Sequence, residues 1–156
     1  MKYPFNLITY SKTIKNLINH NYKFVTFDEL KNLNPESINK SILLRHDIDG
    51  DLQAALVMAK IERKLGIVST YFLMLRSPCY NLMSRYNQKY AEQILELGHS
   101  IGLHYDHGFD EYNKFSLQKT SDLISKQASW LENILSCKIN SVSFHQPNLN
   151  IIQNKL

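Results

Sequence analysis

Three short stretches hold the side chains best suited to chemistry. LLRHDIDGD, from Leu43 to Asp51, sets Asp47, Asp49 and Asp51 two residues apart around a glycine. GHSIGLHYDHG, from Gly98 to Gly108, carries His99, His104 and His107, and SFHQP, from Ser143 to Pro147, carries His145. Carboxylates this close repel one another unless a cation neutralises one of them. Imidazoles nearby favour zinc and its relatives over magnesium or calcium, which take oxygen ligands. A divalent metal, zinc first, is the expected cofactor: Asp47 and Asp49 supply the acidic part of the site, and His104, His107 and His145 the imidazole part.

These residues need elements to aim them. After Ser41 the chain alternates short β-rich runs, at 41–46, 67–75, 99–104 and 139–145, with helical patterns, which predicts an α/β fold of parallel strands joined by crossover helices. Alternate residues of a strand share a face, so Arg45, Asp47 and Asp49 are expected on one side and His46 and Ile48 on the other. Sites in parallel α/β folds sit at the carboxyl ends of strands, where these acids and His104, His107 and His145 fall. His99 opens its strand and reads as a core histidine, and Asp51 reads as the N-cap of the following helix.

That helix is expected over Asp51–Leu65 and a second over Gln88–Leu97, with Gly66 and Gly98 as their C-caps. Ser116 would cap a third, whose inward stripe is Leu117, Ile124, Ala128, Leu131 and Leu135, with Trp130 used for packing. Upstream, a helix is expected over Tyr10–Asn19, and Thr26 with Glu29 forms a capping box. This front segment should cover one end of the sheet.

Composition removes several function classes. The chain has 156 residues with 44% hydrophobic and 21% charged content, which fits one soluble domain over 1–156. Its net charge of +4 is spread over scattered lysines, without a nucleic-acid motif. Neither a signal peptide nor a run of transmembrane length is present, so a cytoplasmic protein is expected. Cys79 and Cys137 form no Cys-x-x-Cys pair, and no Gly-x-Ser-x-Gly elbow marks a serine hydrolase. A calcium loop counted from Asp47 would need glycine at Leu52 and glutamate at Met58. A phosphatase of the haloacid dehalogenase type, with Asp47 as nucleophile, remains an alternative because DIDG resembles its strand-end motif, although it has no use for the histidines.

Taken in order, LLRHDIDGD, GHSIGLHYDHG and SFHQP resemble the motifs of the polysaccharide deacetylase family, the NodB-like carbohydrate esterases, over about Ser41 to Pro147. The resemblance implies a partial or distorted (β/α) barrel and a metal, usually zinc, bound by one Asp and two His. It also implies removal of acetyl groups from N-acetylated sugars. Asp47 then matches the catalytic base, Asp49 the metal-binding acid and His104 the first histidine ligand. The family's second histidine usually lies four residues after the first, where this chain has Gly108, so the third ligand stays open between His107 and His145. His145 stands where many members carry an arginine that orients the base, and it would otherwise hydrogen-bond Asp47. The family's last strands and late general-acid histidine are missing before Leu156, which predicts an uncovered sheet edge open to self-association. A catalytically inactive fold that binds sugar or a partner is therefore a further alternative. A cytoplasmic location would make a nucleotide- or lipid-linked sugar of surface polysaccharide biosynthesis the expected substrate.

Overall fold

The computed structural model describes residues 6–109 and 117–147. It opens with helix α1 (Leu7–Asn19), whose first turn is closed by the Asn6 side-chain carbonyl accepting from the Thr9 N–H at 2.9 Å. Strand β1 (Lys23–Val25) and the single turns α2 (Phe27–Leu30) and α3 (Pro35–Ile38) lead to β2 (Ser41–Leu43), which pairs parallel to β1. The Thr26–Glu29 capping box is formed at the start of α2.

The main sheet holds β3 (Arg45–Ile48), β4 (Thr70–Leu73), β5 (Ser100–Asp106) and β6 (Val142–His145), side by side in that order and all parallel. The crossovers are α4 (Leu52–Lys64), α5 (Arg85–Glu96) and α6 (Leu117–Leu135), with a 3-10 turn at His107–Phe109. The expected strand 41–46 divides at Leu44. Its first half joins β1 in a separate two-stranded sheet, while the Leu44 carbonyl already accepts from the Thr70 N–H at 3.0 Å and transfers the chain to β4. The three-residue β1 was not foreseen, because three residues are too few to show alternation. Asp51 caps α4, its carboxylate accepting from the Gln53 and Ala54 N–H groups at 2.8 and 3.2 Å. Gly66 and Gly98 adopt φ of +72° and +88°, the left-handed geometry of a helix C-cap. The proposed cap Ser116 lies outside the described residues.

Curvature of the sheet follows from its side-chain contacts. At about 4.8 Å per strand, β3 and β6 would stand about 14 Å apart in a flat sheet. Instead the Ser143 hydroxyl of β6 donates to Asp47 of β3 at 3.3 Å, and His145 Nδ1 lies 3.3 Å from Asp49 Oδ1. The four strands therefore form a curled half-barrel whose first and last members meet through side chains across the concave face. Arg45 lies over the Phe72 ring on that face, and Phe27 of α2 meets Phe72 edge-on. Asn140, just before β6, donates to Asp28 at 2.9 Å, so the front segment covers the end where the strands begin, as expected.

The convex face carries the core. Ile48, Tyr71, Leu73, Ile101, Leu103 and Tyr105 of the strands pack against a stripe of α4 at Leu52, Ala55, Leu56 and Ala59, with Ala91 and Ile94 of α5 and Leu131 and Leu135 of α6. Each large apolar side chain buried here contributes about 1.5–3 kcal/mol. Trp130 does not join this packing: it is half exposed, with the Lys126 ammonium over its ring.

One acid lies inside this layer. Glu62 of α4 is fully buried and accepts from the hydroxyls of Tyr10, Ser69 (2.6 Å) and Tyr71 (2.9 Å) while pairing with His46 Nε2 at 2.7 Å. His99 is the core histidine expected, its Nε2–H donating to the Ala59 carbonyl at 3.0 Å and its Nδ1 standing 3.1 Å from the Ser69 hydroxyl. The alternation of β3 is as predicted, with His46 and Ile48 turned inward and Arg45 and Asp47 turned to the concave face.

Candidate metal centre

Strand ends bring three of the predicted residues together. Donor atoms of Asp49, at the end of β3, His104 on β5 and His145 at the end of β6 all lie within 4.8 Å of one another. The edges of the triangle are 3.1 Å from His104 Nε2 to Asp49 Oδ1, 3.3 Å from His145 Nδ1 to Asp49 Oδ1 and 3.3 Å from His145 Nδ1 to His104 Nε2. Zinc bonds of roughly 2.0–2.1 Å at tetrahedral angles place neighbouring ligand atoms about 3.3–3.4 Å apart. The residues present therefore fit a tetrahedral ion with three protein ligands and one open position. His107 is buried in the 3-10 turn beyond β5 and is not part of this group.

The hydrogen bonds around the triangle also suit a cation. A carboxylate only accepts, so the Ser143 hydroxyl must give its proton to Asp47 Oδ1. Ser143 Oγ then accepts from His104 Nδ1–H, at 2.6 Å. A neutral His104 with its proton on Nδ1 turns a lone pair at Nε2 toward the Asp49 carboxylate 3.1 Å away. Two acceptors at that separation require a positive charge between them, either a proton or a metal ion.

Asp47 sits beside the triangle rather than in it. Its Oδ2 takes a charge-assisted hydrogen bond from Arg45 Nη2 at 2.7 Å, and its Oδ1 takes the one from Ser143. Arg45, two residues before Asp47 on the same face, thus holds this carboxylate, while His145 turns to the triangle. Asp49 is fixed through its backbone by the loop after β4: Ser77 donates to the Asp49 carbonyl at 2.9 Å and the Tyr80 hydroxyl to the Ile48 carbonyl at 3.0 Å. Burial, helped by the charge of Asp49 and opposed by the hydrogen bond accepted from the Met74 N–H, pushes the Tyr80 phenol well above its ordinary range, so it stays a donor. The side chain of Asp49 is 57% exposed and that of His104 only 3%, so the triangle has a buried floor and an open rim.

Arg45 and Ser143 are the residues that sequence reasoning left without a role. Arg45 carried a signal, since the period of two placed it on the face of Asp47. Ser143 carried none, because its contact with Asp47 depends on the curl of the sheet. No protein-family model matches the chain, and no curated protein matches it. Among the described residues, no helix is long and apolar enough to cross a membrane.

Proposed function

We propose that the chain is a metal-dependent hydrolase that removes the acetyl group from an N-acetylated sugar. The observation that carries this reading is a zinc-sized donor triangle beside a carboxylate, Asp47, held by Arg45 and Ser143. A bound zinc supplies Lewis acidity and lowers the pKa of a water toward about 7. Asp47 accepts the proton of the water whose oxygen attacks the acetamide carbonyl. The same carboxyl returns that proton to the nitrogen as the carbon–nitrogen bond breaks, releasing acetate and the free amino sugar. The exposed rim at Asp49 admits a saccharide chain, and a nucleotide- or lipid-linked sugar of surface polysaccharide assembly is the substrate class we favour.

A phosphatase with Asp47 as nucleophile is less well supported. Both oxygens of Asp47 are engaged, which suits a base needing one spare lone pair better than a nucleophile that must reach phosphorus. Elemental analysis and acetate release from an N-acetylglucosamine oligomer test the proposal. About one zinc per chain is expected, depleted in Asp49→Ala. Asp47→Asn should keep the metal and lose about 10²–10⁴-fold in acetate release. Full metal retention in Asp49→Ala would sink the ligand assignment. Metal without any acetate release would favour the binding-only fold, and turnover of an aryl phosphate instead would favour the phosphatase.

A further inference from the structure

We infer that Ser143 is a positioning residue whose single hydroxyl fixes both the tautomer of the buried ligand His104 and the placement of the base Asp47. The inference rests on the metal reading above and adds a residue to it. Ser143 is itself buried, at 3% exposure, and sits opposite His104 in the β5–β6 register.

The chemistry follows from proton counting. The hydroxyl owns one proton and two lone pairs. Its proton is committed to Asp47 Oδ1 at 3.3 Å, because the carboxylate has none to give. A His104 that ligates through Nε2 keeps its proton on Nδ1, so the contact to Ser143 at 2.6 Å then runs the other way, from Nδ1–H to Oγ. A histidine protonated on Nδ1 presents its Nε2 lone pair, and that atom points at Asp49 and His145. The hydroxyl therefore chooses the nitrogen that ligates. It also links the ligand to the base, so that His104 and Asp47, on β5 and β3, are set by one group on β6. Groups that hydrogen-bond the far nitrogen of a ligating histidine orient the ring and raise its basicity, and their loss costs about 10–100-fold in metal affinity.

The hydrogen-bond partner of His104 Nδ1 is Ser143 Oγ. Asp47, by contrast, keeps Arg45 when the hydroxyl is removed. Deleting the hydroxyl should thus loosen the base partially and free the His104 tautomer fully.

The test uses the full chain titrated with cobalt(II), read by visible absorption, together with ¹⁵N resonances of the His104 ring in the zinc-loaded protein. Ser143→Ala should weaken cobalt binding about 10–100-fold. It should also shift the ring from Nδ1–H toward a mixture of tautomers, and lower acetate release at saturating metal. Ser143→Thr, which restores a hydroxyl on a strand position, should recover affinity and tautomer to within a few-fold of the parent. A Ser143→Ala protein with parental affinity and an unmoved tautomer overturns the inference, as does Ser143→Thr behaving like Ser143→Ala despite a parental thermal midpoint. Asp49→Ala is the control that separates the two readings. If it binds cobalt normally, the metal centre itself is wrong; if it loses cobalt while Ser143→Ala does not, only the role of Ser143 falls.

Discussion

Single side chains decide where this protein is vulnerable. Glu62 has no exposed surface and gathers the hydroxyls of Tyr10, Ser69 and Tyr71 and the ring of His46. Glu62→Ala would leave the buried Tyr71 hydroxyl without its acceptor and the Tyr10, Ser69 and His46 groups without their shared carboxylate, and should cost about 3–5 kcal/mol in denaturant unfolding; a loss under about 1 kcal/mol would show that water replaces the carboxylate. The same cluster sets a pH dependence. Burial alone would raise the pKa of Glu62, but the hydrogen bond and charge of His46, with Ser69 and Tyr10, outweigh it and leave the carboxyl lowered. Burial lowers the pKa of His99, against the Ala59 hydrogen bond and the Glu62 charge. Both groups have folded values below their unfolded ones, so each contributes stability that is complete above its unfolded pKa. The unfolded chain takes up the His99 proton first, near pH ~6.5, and the Glu62 proton near ~4.3. Urea midpoints should accordingly hold from pH 8 to 7, decline below about 6.5 and decline again below about 4.3. His99→Gln should flatten the upper decline, and an unchanged slope would contradict the assignment. Legibility at this scale was uneven. Asp49, His104 and His145 could be read because each ends or nearly ends a strand. The exclusion of His107 from the triangle could not, because it depends on the path of a tight turn after β5.

The elements were legible where local chemistry terminates them. Asp51, the Thr26–Glu29 box and the glycines at 66 and 98 all act as read, because a cap is decided by residues within a turn of it. The division of 41–46 into β2 and β3 was hidden, because two partner strands from distant parts of the chain decide it. Gly102 shows a further limit of local reading. A Cβ there would stand 2.5 Å from Phe72 Cε1 and 2.8 Å from Ser141 Oγ, so the glycine lets the Phe72 ring lie flat across β5 beneath Arg45. Gly102→Ala should therefore destabilise by about 1–3 kcal/mol through overpacking. It should also disturb the site, since the displaced ring carries Arg45 and Arg45 holds Asp47. A variant with parental melting and parental acetate release would show that Phe72 moves aside freely.

At the scale of the whole molecule the parallel order was expected from the alternation of runs, while a partial barrel was only what the family resemblance implied, since no pattern in a single strand reports how strands bend together. Among the described residues β6 is an outer strand paired only with β5, and Val142 is partly exposed there. Such an edge invites pairing with a second copy. We expect sedimentation velocity to show concentration-dependent association that Val142→Lys reduces; a monomer at every concentration would remove this expectation. The side chains that span the concave face would give a bound ion a mechanical meaning. Asp49 and His145 belong to opposite margins of the sheet, so an ion held between them would act as a crossbeam that sets the radius of the trough and pins the outer strand β6. Bending and occupancy then become one equilibrium. Chelation should quicken amide exchange along β6 first, while β4, held on both sides, keeps its protection.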